Sequence, residues 1–223
     1  MSEERIDVGG IPAKLYRPSG AAAVLLLGHG GGHSKDSPRF ERLARRYADE
    51  TGLAVACIDA VDHGERQPTV TGGGIPSGWH SRTIDRMVED WQATATALEA
   101  IGPAIAYVGF SMGAIFGFPT VAAMATIRAA VFIAGGIPNG GGIDDPRLRP
   151  LMLDAASSLD HCQVLMLNKT DDEIFPIDGV HATFEAVPGT TNELLFWEGD
   201  HNDWPPDLIA CSIAFLRQHL KTG

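Results

Sequence analysis

Short apolar runs alternate along this chain with segments whose apolar residues recur every three or four positions. An apolar run of about four to eight residues is typical of a strand that is buried on both faces of a sheet. A three-and-four spacing is typical of a helix with one buried face. The strands predicted in this way cover residues 21–28, 53–59, 104–110, 129–135, 163–168 and 193–197.

The segments between these strands predict helices. Ser37 and Pro38 provide an N-cap and a first helical residue, and Gly52 ends that helix. Residues 136–161 begin rich in Gly and Pro and contain one later helix. The remaining predicted helices cover residues 83–101, 112–126, 178–186 and 206–220, and a hairpin of residues 6–8 and 13–16 opens the chain. This alternation predicts an α/β fold whose mostly parallel central sheet has helices on both faces.

Length and composition narrow the class of protein. The chain has 223 residues, of which 44% are hydrophobic and 20% charged, and no internal linker divides it, so we expect one domain over residues 1–223. The formal net charge of −11 disfavours nucleic acid and anionic membrane surfaces as partners. No apolar run approaches the roughly 20 residues that span a bilayer.

The cysteines and the N-terminus indicate a compartment. Cys57, Cys162 and Cys211 are far apart and odd in number, so they predict neither a disulfide framework nor a paired metal site. The polar start MSEERIDVGG has no basic and apolar regions of the kind found in a signal peptide. We therefore expect a cytoplasmic protein.

One serine lies where a strand meets a helix. Gly109-Phe110-Ser111-Met112-Gly113 is a G-x-S-x-G pentapeptide between the predicted strand 104–110 and the helix that follows. Such a tight turn exposes the serine hydroxyl above the carboxyl edge of the sheet, where ligands bind in open α/β folds. The alternative is a serine that only N-caps the helix, but the strand and helix on either side favour a nucleophile.

A serine nucleophile needs a base that is oriented by a carboxylate. His201 follows the last predicted strand, and Asp171 and Asp172 follow the strand before it. The order serine, acid, base is one of the known chain orders for this chemistry. The spacing alone leaves both aspartates open as the acid. The other histidines at strand ends are His29 and His63, and those in helical or connecting segments are His161, His181 and His219.

A glycine-rich loop, HGGGHS, directly follows the strand 21–28. Acyl transfer needs backbone N–H groups aimed at the developing oxyanion, and glycines let a substrate approach them. We assign Gly31 and Met112 as these donors, with Gly32 as the alternative to Gly31. The loop matches neither GxGxxG nor GxxxxGK[ST], which disfavours a phosphate-binding loop.

The sequence contains residue types that can bind metals, but they do not follow the spacing of a metal site. His29, His33, His63, Asp59 and Asp62 are near one another in sequence, but no H-x-x-x-H occurs on a predicted helix. We therefore predict no metal and no cofactor.

The loops 64–82 and 136–160 are long enough to form the walls of a substrate pocket. The residues predicted to line it are Trp79, His80, Ile137 and Trp204. For Trp204, packing against the start of the last helix is an equal alternative.

Three motifs resemble those of the α/β-hydrolase superfamily, and the resemblance extends over essentially the whole chain. GFSMG resembles the nucleophile turn of small serine esterases and of the dienelactone-hydrolase-like branch. DDEIFP resembles the D-x-x-x-P acid loop, which implies Asp172 rather than Asp171, and IDAVDHGER resembles a D-x-x-x-H-G loop in which His63 is structural. Dienelactone hydrolases proper use a cysteine where this chain has Ser111, and the chain has no room for the extra cap of longer lipases.

The sequence therefore predicts an α/β-hydrolase fold with a minimal cap or none, and a serine hydrolase that cleaves esters of small acyl and alcohol groups. The expected catalytic residues are Ser111, Asp172 and His201, and the expected partner is a small ester, with a homodimer left open. The same residues also serve thioesterases, amidases or peptidases and acyltransferases, and a non-catalytic ligand-binding relative would share the fold.

Overall fold

A computed structural model describes residues 1–67, 79–139, 143 and 145–220. Its central element is an eight-stranded sheet. The strands are β1 (Ser2–Val8), β2 (Ile11–Arg17), β3 (Val24–Gly28), β4 (Ala54–Ile58), β5 (Ala104–Phe110), β6 (Ala129–Ile133), β7 (Gln163–Lys169) and β8 (Glu193–Trp197). Their order across the sheet is β1-β2-β4-β3-β5-β6-β7-β8.

Six α-helices within the described residues pack on this sheet. They are α1 (Pro38–Thr51), α2 (Trp79–Ala97), α3 (Met112–Ala122), α4 (Leu148–Ser157), α5 (Ile177–Ala186) and α6 (Pro206–His219). Side chains of α1 and α6 form the apolar core on one face, and those of α2 to α5 form the core on the other. The predicted arrangement, a sheet covered by helices on both faces, is confirmed.

The sheet is parallel from β4 to β8 and antiparallel at its start. β1 pairs antiparallel with β2, and β2 pairs antiparallel with β4. β3, β5, β6, β7 and β8 run parallel to their neighbours, with Gly28 of β3 opposite Gly109 of β5. The carboxyl ends of the parallel strands therefore share one edge of the sheet, and the loops that leave this edge carry the predicted site.

Most predicted elements are present, and their differences lie at the ends. β5 and β8 have the predicted bounds, and Gly52 ends α1 with a φ of 76°. α2 includes Trp79 and ends at Ala97, and α3 ends at Ala122. In both cases the residues beyond the helix form hydrogen-bonded turns that lead into the next strand, and apolar spacing does not distinguish a final turn from a helix.

None of the helices that the structure describes combines the length and the apolar character needed to cross a membrane. All three cysteines are free: Cys57 and Cys162 are buried, and Cys211 is partly buried.

Candidate active site

Ser111 lies in a strained turn between β5 and α3. Its φ of 52° and ψ of −111° are unfavourable for a residue that has a Cβ. The turn is held because the Ser111 N–H donates to the Ile133 carbonyl at 2.9 Å, and the Ser111 carbonyl accepts from Ala114 and Ile115. The side chain does not cap α3. Its hydroxyl is therefore available for another partner.

Two glycines make this turn sterically possible. A Cβ on Gly109 would lie 2.4 Å from the Gly113 carbonyl oxygen, and a Cβ on Gly113 would lie 2.5 Å from the Gly28 carbonyl oxygen. Both distances are far inside van der Waals contact with backbone atoms, which cannot easily move. The first and last residues of the G-x-S-x-G pentapeptide therefore allow β3, β5 and α3 to pack closely around the serine.

The structure brings Ser111, His201 and Asp172 into one hydrogen-bonded relay. His201 Nε2 lies 2.9 Å from Ser111 Oγ, and His201 Nδ1 lies 2.8 Å from Asp172 Oδ2. Since an ionised carboxylate only accepts, the bonding pattern assigns the proton to Nδ1 and leaves Nε2 to accept from the serine hydroxyl. This is the arrangement in which an imidazole can remove a proton from a serine.

The two candidate aspartates have different surroundings. The Asp172 side chain is fully buried, and its second oxygen, Oδ1, accepts from the N–H groups of Ile174 at 2.9 Å and Phe175 at 3.0 Å. Asp171 is exposed; its N–H donates to the Gly199 carbonyl, and its carboxylate accepts from the Thr170 hydroxyl at 3.2 Å. Only Asp172 meets His201 in the described residues.

Several contacts support the loop that carries His201. The Phe175 ring stacks on the imidazole with ring centroids 5.7 Å apart, and Trp204 Nε1 donates to the His201 carbonyl at 2.7 Å. The buried Lys169 ammonium donates to the Glu198 carbonyl. Asp200 is exposed and accepts from the Asn202 N–H at 2.9 Å, so its carboxylate shapes the turn. Sequence reasoning missed Lys169, whose only signal is a charged residue at the end of an apolar strand.

The glycine-rich loop runs beside Ser111. A Cβ on Gly30 would lie 3.7 Å from Ser111 Cβ, and Gly31 and Gly32 are exposed. Neither the Gly31 N–H nor the Met112 N–H donates a hydrogen bond to another residue in the described part of the chain. Within the described residues, both N–H groups therefore remain available to a ligand.

His29 fastens the start of this loop. Its Nε2 accepts from the Ala60 N–H at 3.0 Å, and its Nδ1–H donates to the Gly30 carbonyl at 2.9 Å. Burial lowers the pKa of His29 to about 4, and the hydrogen bond to Gly30 offsets only part of this effect. The imidazole is therefore neutral near pH 7 and has a structural position, rather than one at the reacting serine.

Lys35 holds the end of the loop in place through ion pairs. Sequence reasoning did not identify this residue. Its side chain is 1% exposed, and its ammonium contacts the carboxylates of Asp36, Asp59 and Glu65. Burial by itself would lower the pKa of Lys35, but the hydrogen bonds with these carboxylates outweigh burial and raise it. The recognisable signal is a lysine directly after HGGGHS combined with an aspartate at the end of the next strand.

Comparisons with known proteins identify the family. The model of the "Alpha/beta hydrolase family" matches residues 24–218, which is most of the chain. This chain belongs to the α/β-hydrolase family. The match includes the elements that carry Ser111, Asp172 and His201, and the sheet order agrees with the fold that the motifs implied.

Solved structures resemble this hydrolase over nearly its whole length. A cold-adapted esterase from an Arctic intertidal metagenomic library is 26% identical, with a TM-score of 0.82 over 98% of this chain and 93% of the other. TT1662 from Thermus thermophilus is 23% identical, with a TM-score of 0.78 over 100% and 99%. Dienelactone hydrolase from Anabaena variabilis is 20% identical, with a TM-score of 0.69 over 98% and 96%. Among curated proteins, no sequence matches this hydrolase closely enough to count as a relative.

Trp79 and His80, at the start of α2, belong to a cluster of aromatic side chains. Trp79 Nε1 donates to Asp62 Oδ2 at 2.9 Å, and the Trp79 ring contacts His80 and Phe116 of α3 with centroids 4.8 Å and 5.7 Å away. Burial lowers the pKa of His80 to about 4. His63 packs against Trp79, and its Nδ1–H donates to the Val61 carbonyl at 2.9 Å, so His63 holds a turn.

Ile137 and Trp204, the other two predicted lining residues, line two different cavities. Ile137 lines a cavity of about 430 Å³ together with Asp145 and Pro176. Trp204 stacks on Phe110 with centroids 4.5 Å apart and faces the α1–α6 side of the sheet. Substrate contact by all four lining residues stays a prediction. Parts of the predicted pocket walls, residues 68–78, 140–142 and 144, lie outside the described residues.

His29, His63 and Asp59, three of the five potential metal ligands in the sequence, contact other side chains. No group of three or more His, Cys, Asp or Glu side chains within the described ranges could hold a metal ion. The rings of His29 and His63 contact each other with centroids 5.5 Å apart, and the Asp59 carboxylate accepts a hydrogen bond from the Lys35 ammonium.

Proposed function

We propose that this α/β-hydrolase is a serine carboxylester hydrolase that acts on esters of small acyl and alcohol groups through an acyl-enzyme on Ser111. The observation that carries the proposal is the continuous relay from Ser111 Oγ through His201 to Asp172, with bonds of 2.9 Å and 2.8 Å. A buried, hydrogen-bonded carboxylate behind the imidazole is what a general base needs to hold its tautomer and to become transiently charged.

In the proposed reaction, Ser111 Oγ attacks the acyl carbon while His201 Nε2 takes the hydroxyl proton. The carbonyl oxygen becomes an oxyanion, for which the N–H groups of Gly31 and Met112 are the expected donors. Removal of one such donor costs other hydrolases about 3–4 kcal/mol of transition-state stabilisation. His201 then returns the proton to the leaving alcohol, and a water molecule, activated by the same imidazole, hydrolyses the acyl-enzyme.

The resemblance to solved structures favours esters over other acyl compounds. One solved structure that resembles this chain is described as an esterase and another as a dienelactone hydrolase. Ser111 occupies the position where dienelactone hydrolases proper have a cysteine, which argues against a dienelactone as the substrate. We expect small substrates because the sequence between the predicted strands and helices has no insertion long enough to form a separate cap domain.

The first test combines labelling with turnover. A fluorophosphonate should label wild type at Ser111 by peptide mapping, and p-nitrophenyl acetate and butyrate should be hydrolysed. Ser111→Ala should lose both, whereas Ser157→Ala, which alters an exposed serine on α4, should retain both. Absence of labelling and turnover in the folded wild type would contradict the proposal and favour a non-catalytic ligand-binding relative.

The second test separates the acyl chemistries that share this relay. Matched ester, thioester and amide substrates should give the highest kcat/KM for the ester. A series of p-nitrophenyl esters should lose kcat/KM as the acyl chain lengthens. A preference for the thioester, the amide or the long-chain esters would overturn the corresponding part of the proposal.

A further inference from the structure

A groove lies between α1 and the start of α6, on the face of the sheet that carries these two helices. Its volume is about 360 Å³. The residues that line it are Arg39, Arg42, Leu43, Arg46, Trp204, Pro206 and Ile209. None of Ser111, Asp172 and His201 is among them, although the lining residue Trp204 donates a hydrogen bond to the His201 carbonyl.

The charge of this groove is opposite to that of the protein. Arg39, Arg42 and Arg46 are three and four residues apart on α1 and therefore project from one side of the helix. No lining residue is acidic, although the chain carries a formal net charge of −11. The groove is thus a local cationic site on an acidic protein.

Two of the three arginines have no counter-ion among the described residues. Arg46 pairs with Glu50 at 2.7 Å, whereas Arg39 and Arg42 make no ion pair in the described part of the chain. Burial, together with repulsion from Arg42, lowers the pKa of Arg39. Two neighbouring guanidinium groups that lack an acid are stabilised when an anion binds between them.

The remaining surface of the groove is apolar and aromatic. The Arg39 guanidinium carbon lies 3.6 Å from the centroid of the Trp204 ring, and Leu43, Pro206 and Ile209 complete the lining. A guanidinium that stacks on an indole is held in place while its N–H groups stay available to a ligand. Arg39 and the stacked Phe110 ring already cover Trp204, so Leu43, Pro206 and Ile209 are the surface for a small apolar group next to the anionic group.

We propose that the groove between α1 and α6 binds a small phosphate monoester that carries an apolar group. A phosphate monoester has a charge of about −2 above its second pKa near 6, which balances the two unpaired guanidinium groups. The apolar part of the ligand packs against Leu43, Pro206 and Ile209. This site does not depend on the proposed function, because the ligand is not a substrate of that reaction and Ser111, Asp172 and His201 do not line the groove.

Phenyl phosphate is the probe, titrated at constant ionic strength and about pH 8, where it is a dianion. The reporter is the indole N–H signal of Trp204 in a ¹H–¹⁵N spectrum, one of four such signals and assigned with Trp204→Phe. We expect a saturable shift in wild type and in Ser111→Ala. Because charged hydrogen bonds are lost, Arg39→Gln/Arg42→Gln should bind at least about tenfold more weakly.

Matched controls isolate the charge and the position. Arg17→Gln makes the same change of charge on β2 outside the groove and should bind as wild type does. Phenol, which lacks the phosphate, should give no saturable shift. Because Arg42 is exposed, Arg42→Gln alone keeps the test valid if the double variant does not fold, and it should weaken binding by about threefold or more.

Three results would overturn the site. In the first, the Arg42 variants bind phenyl phosphate as tightly as wild type does. In the second, phenol gives the same saturable shift as phenyl phosphate. In the third, Ser111→Ala loses binding, which would place the probe at the serine. Since the titration measures binding and not turnover, its outcome is independent of whether the protein hydrolyses esters.

Discussion

Lys35 Nζ lies 2.8 Å from Asp59 Oδ2, and both side chains are buried. The Lys35 N–H also donates to Asp59 Oδ1 at 2.9 Å, so one carboxylate holds the residue twice. The other end of the glycine-rich loop is bound through His29 to Ala60. Two consecutive residues after β4 therefore hold both ends of the loop in which Gly31 lies.

We expect Lys35→Met to destabilise the protein strongly. Removing the ammonium leaves Asp59 buried without its cation and next to two further carboxylates, a change that costs about 3–5 kcal/mol in buried ion pairs. Urea unfolding measures this free energy. The double variant Lys35→Met/Asp59→Asn should recover part of the loss because the amide is neutral. A single variant within about 1 kcal/mol of wild type would show that the pair contributes little.

Asp172→Asn and Asp171→Asn form a matched pair of neighbouring substitutions. Because only Asp172 meets His201 Nδ1, Asp172→Asn should lower kcat by about 10⁴, through loss of the correct imidazole tautomer. Asp171→Asn should change kcat little, since its carboxylate is exposed. The measurement is steady-state hydrolysis of p-nitrophenyl acetate. Similar losses in both variants would exclude Asp172 as the sole acid.

Stability should fall as pH is lowered from about 6.5 to about 4 because His29 must be protonated on unfolding. Its pKa is about 4 in the folded protein and 6.5 as the unperturbed value, so the unfolded chain binds the extra proton in this window. The contribution is complete above about pH 6.5 and reaches the order of 3 kcal/mol.

Urea unfolding of wild type and His29→Gln at several pH values measures this effect. The variant should show a smaller slope of unfolding free energy against pH. Part of the slope should remain, since His80 also has a pKa of about 4, and His29→Gln/His80→Gln should reduce it further. Parallel curves for wild type and His29→Gln would contradict the assignment.

Gly109→Ala should destabilise the fold, whereas Gly31→Ala should not. The new methyl group at residue 109 would lie 2.4 Å from the Gly113 carbonyl oxygen, and that at residue 31 has no atom within 4 Å. Overpacking of this kind costs about 1–3 kcal/mol, and an unobstructed surface change stays within about 0.5 kcal/mol. Thermal unfolding of the two variants compares them directly, and equal melting temperatures would refute the close approach.

The sequence by itself determined the local elements and the class of fold. Apolar runs and three-and-four spacing depend on residues near one another in the chain, so they predicted all six parallel-sheet strands and the helices between them, with errors only at the ends. The G-x-S-x-G pentapeptide is also a local signal, because the strand before it, its glycines and the helix after it are contiguous in the chain. The family match over residues 24–218 agrees with the resemblance carried by three short motifs.

Only the tertiary structure decided which distant side chains meet. The 29-residue separation of Asp172 and His201 and the 90-residue separation of Ser111 and His201 carry no distance information until the strand order is known. The spacing of the two aspartates from His201 differs by one residue, and it is the turn after β7 that buries Asp172 and exposes Asp171. The burial of Lys35 also depends on the tertiary structure. A lysine is normally a surface residue, and this one is buried because Asp59 and Glu65, from the segment after β4, join the neighbouring Asp36 around its ammonium.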